Sequence, residues 1–212
     1  MKHNNPQNEI AFVLGNGISR KQLNHSAVIQ HGTVYGCNAL YREFEPDFLI
    51  AVDVKMINEI IASGYQKTHV VWTNPNKGIK GQGINFFNPH KGWSSGPTAL
   101  HFACERGHRE IYIFGFDYQG IAGKFNNVYA DTYNYKCSTD VATFHGNWLS
   151  QTEKTIRDWN SVKFYRVITK GDLIPENLGV SCPNLQHIYY EDFERKFPGT
   201  IYSDQNDQKS II

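Results

Sequence analysis

The chain has little cysteine and arranges it for neither metal nor cross-link. Its four cysteines, Cys37, Cys104, Cys137 and Cys182, lie far apart with no C-x-x-C pair. That spacing excludes a zinc ribbon and a small disulfide framework and is the pattern of a reduced, cytoplasmic protein. Charge of one sign is also missing. Against 21 Lys and Arg stand 20 Asp and Glu, a formal net charge of +1, so no long-range field gathers nucleic acid or an anionic membrane, although a local basic patch stays open. No apolar run approaches the roughly 20 residues of a membrane-spanning helix, and the polar stretch 1–9 has no apolar core of the signal-peptide kind. No span and no leader are therefore expected. Internal repeats and low-complexity tracts are absent. So are a D-x-D acidic pair and an H-E-x-x-H motif: His101 and His108 stand seven residues apart without a carboxylate partner and read as surface or packing residues. No resident metal is expected.

What is present is a globular composition, 40% hydrophobic and 19% charged, in a length suited to a single domain over 1–212 with a core of its own. Aromatics reach 14%, with 12 Tyr and 13 Phe. An excess of this kind lines sugar and base pockets, or simply enlarges the core.

Short apolar runs alternate with helical stretches, the pattern of a parallel sheet flanked by helices. Ile10-Ala11-Phe12-Val13-Leu14 is a continuous apolar run of strand length. Further strands are expected at 32–38, 47–53, 67–73, 84–87, 110–116 and 162–168. The stretch 20–30 reads as helical or irregular. Met56, Ile57, Ile60 and Ile61 place a helix over 54–63, with Gly64 as its C-cap signal. Helices are also expected from 94 to 107 and from 148 to 159. Between Gln119 and Thr143 neither period persists and Gly, Asn, Tyr and Asp accumulate, which marks a binding loop or lid. Its tyrosines, Tyr129, Tyr133 and Tyr135, serve a ligand or pack the lid onto the body. The polar segment 203–212 reads as a frayed tail. The fold class that follows is α/β: one Rossmann-like domain with a mostly parallel sheet and a Tyr- and Asn-rich lid.

Polar residues fall where these strands end. The turn Gly15-Asn16-Gly17 follows the first strand, Asn38 closes the second, Asp53 the third, and Asp117 ends the strand beginning at Glu110. Ligands of doubly wound sheets sit at that carboxyl edge, and backbone N–H groups at such a turn favour phosphate. Taken singly, Asn16 and Asn38 are equally explained as turn-capping residues. The turn lacks the third glycine of G-x-G-x-x-G, and Asn38 stands where a nicotinamide ribose would call for an acid, which argues against a dehydrogenase. The small-residue turn Ser94-Ser95-Gly96-Pro97, leading through a helix into the strand that ends at Asp117-Tyr118, builds a second wall of the same pocket. Gly92-Trp93-Ser94-Ser95-Gly96 is also a literal G-x-S-x-G, and Ser94, Asp117 and His145 follow in hydrolase order. A nucleophile elbow needs a strand running into its serine, and Asn88-Pro89-His90-Lys91 makes a poor one.

Gly15-Asn16-Gly17-Ile18-Ser19, Gly36-Cys37-Asn38 and the block from Ser94 to Tyr118 resemble the bacterial CMP-sialic-acid-dependent sialyltransferases of glycosyltransferase family 42, with related motifs in motility accessory factors and a pterin pyrophosphokinase family. The resemblance covers about the first three fifths of the chain, with a looser match near His145. It implies a GT-A variant of the Rossmann-like fold and a nucleotide-sugar donor, a CMP-sugar, taken as substrate with no cofactor. It implies that Asn16, Asn38, Ser95 and Gly96 hold the donor, that Tyr129 steadies the leaving phosphate without a metal, and that His145 is the general base. A second lid tyrosine of the family has no clean partner, since Gln119 stands in its place beside Tyr118. Gly17, Asp53, Ser94, Asp117 and Tyr118 complete the candidate binding set. An imidazole titrating near neutrality suits removal of a hydroxyl proton, and direct displacement would invert the anomeric carbon. For His145 the plain alternative is an exposed histidine at a helix start. The acceptor, whether a glycan, a protein side chain or a hydroxymethylated DNA base, stays open, as does homo-oligomerisation. A magnesium-dependent pterin pyrophosphokinase, a Ser94/Asp117/His145 hydrolase and a non-catalytic nucleotide-binding module are the competing readings.

Overall fold

A computed structural model of the chain describes residues 9–202; the polar stretch before residue 9, except Glu9 itself, and the tail read above as frayed lie outside the described residues. Eight strands form one sheet: β1 (Ile10–Leu14), β2 (Thr33–Cys37), β3 (Phe48–Ile50), β4 (Val71–Thr73), β5 (Asn85–Phe86), β6 (Glu110–Phe114), β7 (Lys163–Ile168) and β8 (Leu185–Tyr189). Their order is β5-β4-β3-β2-β1-β6-β7-β8, and every neighbouring pair is parallel. β1 lies between β2 and β6, with Phe12 opposite both Val34 and Tyr112. A strand covered on both faces buries every side chain, which is why β1 reads as an unbroken apolar run.

Among the described residues there are six α-helices: α1 (His25–Val28), α2 (Val54–Ser63), α3 (Ser95–Glu105), α4 (Gly146–Asp158), α5 (Glu176–Val180) and α6 (Tyr190–Lys196). Alternation along β1 sorts the core into two layers. Phe12 and Leu14 point into one, with Val28 of α1, Met56, Ile57 and Ile60 of α2, and Phe193 of α6. Ala11 and Val13 point into the other, with Ala99, Leu100 and Ala103 of α3, Ile156 of α4 and Leu178 of α5. The sheet is thus sandwiched between helices, the α/β arrangement expected from the alternating pattern. α2 begins after Asp53 and ends at Gly64, whose φ of 77° is the left-handed cap its position signals. In α3, Pro97 falls in the first turn, where its missing N–H costs nothing.

Several boundaries differ from expectation. The fourth strand is only Val71–Thr73, because a 3₁₀ turn over Tyr65–Lys67 follows the Gly64 cap. β3 stops at Ile50, and β6 stops at Phe114 because Gly115 takes a φ of 66° and leaves the strand. The stretch 20–30 divides into a 3₁₀ turn at Ile18–Gln22 and the short α1. α5, β8 and α6 lie beyond the last strand that periodicity marks.

The segment 119–143 contains no helix or strand, only isolated bridges joining Ile121 and Lys124, and Lys124 and Val141. Its middle is strapped to the body. Val128 N–H donates to Asn16 O at 2.8 Å, Ile18 N–H to Asn126 Oδ1 at 2.9 Å, Arg42 Nη1 to Thr132 Oγ1 at 2.8 Å, and Asn134 Nδ2 to Glu59 Oε2 at 2.7 Å. From Asn126 to Asn134 this stretch is a fastened strap rather than a loose flap.

Candidate functional site

From β1 the chain builds outward to β5, then returns to the other side of β1 to lay down β6, β7 and β8. The turns after β1 and β6 therefore part company side by side, and that switch point opens a crevice. The two turns meet first at the backbone. Gly15 N–H donates to Phe114 O at 2.8 Å and Gly17 N–H to Gly115 O at 2.9 Å. A Cβ on Gly15 would lie 2.7 Å from Gly115 O, and one on Gly17 would run into the Asp117 carboxyl. The glycines of this turn are there because two main chains and a carboxylate pass too close for a side chain.

Beyond them lies a cleft of about 120 Å³. It brings together Asn16, Gly17, Asn38, Ser94, Gly96, Asp117, Tyr118 and His145 of the candidates, from five separate stretches of sequence. Asn16 is 9% exposed. Its Nδ2 donates to Cys37 O at 3.2 Å and toward Tyr135 Oη at 3.4 Å, which fixes the amide plane, while its buried Oδ1 has no partner among the described residues. Asn38 takes a φ of 53° at the end of β2. Its Oδ1 accepts from Ser95 Oγ at 2.7 Å, and that same hydroxyl accepts from Val52 N–H at 3.1 Å. Ser95 is buried behind the wall as the post that holds Asn38 and does not line the cleft itself.

Asp117 lies buried in the wall with its carboxylate committed to Ser19, accepting from the backbone N–H at 3.2 Å and from the hydroxyl. Tyr118 has a φ of 53° and donates its buried hydroxyl to Thr152 Oγ1 at 2.8 Å, and burial pushes that phenol's pKa up. Ser94 precedes α3, with its N–H donating to Gln151 Oε1 at 3.1 Å. His145 stands immediately before α4, its ring edge-on to Trp148 at 5.4 Å between centroids. Partial burial lowers its pKa from the usual 6.5, with the Asp117 charge opposing. At neutral pH the ring is the neutral, proton-accepting form.

Besides Ser95, two candidates fall outside this cleft. Tyr129, read as the leaving-phosphate stabiliser, is 7% exposed and packed in the core. Its hydroxyl accepts from Arg20 Nη2 at 3.2 Å and donates to Glu43 Oε1, so the phenol is spent on a buried ion pair whose members stand 2.9 Å apart. Asp53 stands at the N-terminal end of α2, without a side-chain bond to the helix, and lines a neighbouring hollow with Lys55, Asn134 and Tyr135. The hydrolase reading loses its geometry as well: no strand runs into Ser94, and the Asp117 oxygens bond Ser19 rather than an imidazole. His101 packs between Trp93 and Trp159, and His108 is buried against the Tyr35 hydroxyl at 2.8 Å.

The structure adds Gln119, Asn126, Asn127 and Trp148 to the lining. Asn126 accepts from Ile18 N–H and donates to Gln119 O at 3.0 Å, and Asn127 Oδ1 caps Tyr129 N–H at 2.9 Å. Their adjacency in an asparagine-rich loop was the available signal. Among the described residues, no three His, Cys, Asp or Glu side chains gather into a metal-binding group, and no helix is long and apolar enough to cross a membrane.

No protein-family model and no curated protein sequence matches this chain. Similarity emerges in three dimensions. A crystal structure of a variant of the sialyltransferase CST-II in complex with CMP aligns with a TM-score of 0.51 over 91% of this chain and 99% of that one, at 14% identity. CstII from Campylobacter jejuni in complex with the substrate analogue CMP-3FNeuAc aligns with a TM-score of 0.45, over 96% of this chain and 94% of that one, at 16% identity. The first of these likenesses shows a shared fold.

Proposed function

We propose that this protein is a glycosyltransferase whose cleft at the β1–β6 switch point takes a nucleotide sugar, with His145 as the base that activates an acceptor hydroxyl. The observation that carries the reading is the convergence of Asn16, Asn38, Gly96 and His145 on one crevice. The amides and small-residue turns supply fixed hydrogen-bonding groups for base, ribose and phosphate, and the histidine supplies the one neutral base that ends in the cleft. The fold shared with a CMP-bound sialyltransferase, together with the motif resemblance, makes a CMP-sugar the first donor to test.

In the reaction, the acceptor oxygen attacks the anomeric carbon as its proton passes to the His145 ring, while the bond from that carbon to phosphate oxygen breaks and the nucleotide departs with the electron pair. Direct displacement inverts the anomeric centre. The leaving phosphate meets Asn and Gln amides and backbone N–H groups instead of Tyr129. The one carboxylate lining the cleft, Asp117, already holds Ser19, a poor donor set for a divalent ion, and the reaction is accordingly proposed as metal-independent.

Thermal unfolding in the presence of CMP, UDP, GDP and ADP sugars is the direct test. A ligand at 100 times its Kd adds about 2.7 kcal/mol to native stability, so the true donor raises the melting temperature and the others do not. No shift with any nucleotide sugar would sink the proposal. With the donor named, His145→Gln should lower turnover by roughly 10²–10⁴-fold with donor affinity unchanged, and turnover should survive EDTA.

A further inference from the structure

Arg166, on β7, is 2% exposed and lies behind the cleft wall, outside its lining. Its guanidinium donates from Nε to Phe116 O at 2.8 Å, from Nη1 to Leu173 O at 2.7 Å and from Nη2 to Asp117 O at 3.4 Å, and it lies 5.2 Å from the centre of the Tyr118 ring. Phe116, Asp117 and Tyr118 all line the cleft, so this one side chain pins the turn after β6 from the rear. Its charge has no carboxylate in contact: among the described residues no ion pair includes it. Arg20, equally buried, is paired with Glu43 at 2.9 Å.

A buried cation hydrogen-bonded only to carbonyls and stacked on a ring face is expensive: burial lowers the Arg166 pKa, and the charges of Tyr118, Asp117 and Asp172 oppose that lowering without forming an ion pair. Its neighbour across β7 and β8 is His187, whose imidazole is lowered to about 4 by burial first and by the Arg166 charge second. Among the described residues no Lys or Arg lines the cleft itself. A crevice that takes phosphate needs positive potential from somewhere, and Arg166 stands one peptide behind it.

We propose that Arg166 is a positioning residue for this site and the source of its preference for a phosphorylated ligand, fixing the Phe116–Tyr118 turn through two carbonyls and balancing the phosphate charge from behind the wall. The inference rests on the reading that the cleft takes a nucleotide, and it adds a residue to which neither motif nor resemblance assigned a role.

Paired titrations of CMP and cytidine, which differ by the phosphate alone, separate this from simple support of the fold. Both are titrated calorimetrically into wild type, Arg166→Met and Arg166→Lys, well below each protein's melting temperature. Wild type should bind CMP more tightly than cytidine. Arg166→Met should weaken CMP by about tenfold, the order expected of one unpaired charge acting through protein, and leave cytidine within about twofold. Arg166→Lys should keep the preference for CMP, since it keeps the charge and loses the forked geometry. Equal losses for both ligands in Arg166→Met, or no loss for either, would overturn the proposal. If Arg166→Met does not fold, Arg166→Lys decides: loss of the CMP preference there overturns the inference, and its retention supports it. Wild type binding neither compound would overturn a cytidine nucleotide as the ligand of this cleft and this inference together, while the nucleotide reading itself is decided by the sugar-nucleotide screen. Wild type binding both equally would overturn this inference alone.

Discussion

The hydroxyl of Tyr129 is taken by Arg20 and Glu43, so its removal should register in stability and not in chemistry. Tyr129→Phe leaves the buried Arg20 and the partly exposed Glu43 short of a partner and should cost about 1–3 kcal/mol in urea unfolding, with turnover within about twofold of wild type. A large fall in turnover at unchanged stability would return Tyr129 to the phosphate. Asn16 presents the opposite case. Its Nδ2 is anchored on Cys37 O while its buried Oδ1 has no partner among the described residues. Asn16→Asp keeps the shape, sets a carboxylate against that carbonyl and adds negative charge beside an anionic ligand. Nucleotide affinity should fall by about tenfold or more, roughly one charge interaction at close range, and an unchanged Kd would remove Asn16 from the site. That Asn16 and Asn38 face one cleft was legible from their places at strand ends. That Ser95 sits behind Asn38, and Tyr129 inside the core, was not, because depth from the surface leaves no trace in spacing.

Secondary-structure elements meet this site through the turns that leave β1 and β6, and Gly115 is where they touch. It holds a φ of 66°, and a Cβ there would lie 2.8 Å from Gly15 O. Gly115→Ala therefore combines left-handed strain of about 1–2 kcal/mol with a backbone clash that only separation of the two turns can relieve. Gly64, with a φ of 77° but nothing closer than 3.8 Å, supplies the control. Gly64→Ala should lose about 1 kcal/mol and bind nucleotide normally, whereas Gly115→Ala should lose more and bind poorly, both read from melting curves with and without ligand. Equal behaviour of the two would mean that the β1–β6 contact does not shape the cleft. The same elements show what periodicity conveys. β1 and β6 are covered on both faces, so their apolar runs announce them, and α2 carries both a moment and a cap. β8 does neither: Gln186 and His187 interrupt Leu185–Tyr189 at the sheet edge, and a strand paired on one side needs no continuous apolar run.

Across the whole molecule, buried charge and buried imidazole set the response to acid, and this too was hidden from sequence reading. Arg166 sits in a strand as its outwardly polar member, and only the packed neighbourhood of Phe116, Asp117 and Leu173 reveals it as interior. His25 is read from sequence as one histidine among nine. In the fold its Nε2 accepts from Arg20 Nη1, and burial together with the Arg20 charge lowers its pKa from 6.5 to about 4. His187 is lowered to about 4, and His145 and His101 are lowered as well. Between those values the unfolded chain binds more protons than the native one, so native stability rises with pH across the window and drains away as pH falls from about 6.5 toward 4. Glu43 and Glu59, held below 4.5 by Arg20, Arg42 and their hydroxyl donors against the cost of burial, extend the loss below that range with the same sign. Acid destabilisation should therefore begin near pH 6.5, well above the carboxylate range. His25 alone should account for up to about 3 kcal/mol by pH 4. Urea unfolding at pH 7.5, 6.5, 5.5 and 4.5 measures the slope, and His25→Gln, which keeps a neutral acceptor for Arg20 and cannot be protonated, should flatten it. A wild-type stability constant from pH 7.5 to 5 would show that His25 does not stay neutral against Arg20. Because Arg20 also holds Tyr129 on the 119–143 segment, the same titration should loosen that strap, read as hydrogen exchange at Ala130 and Asp131 accelerating below pH 6 in wild type and much less in His25→Gln.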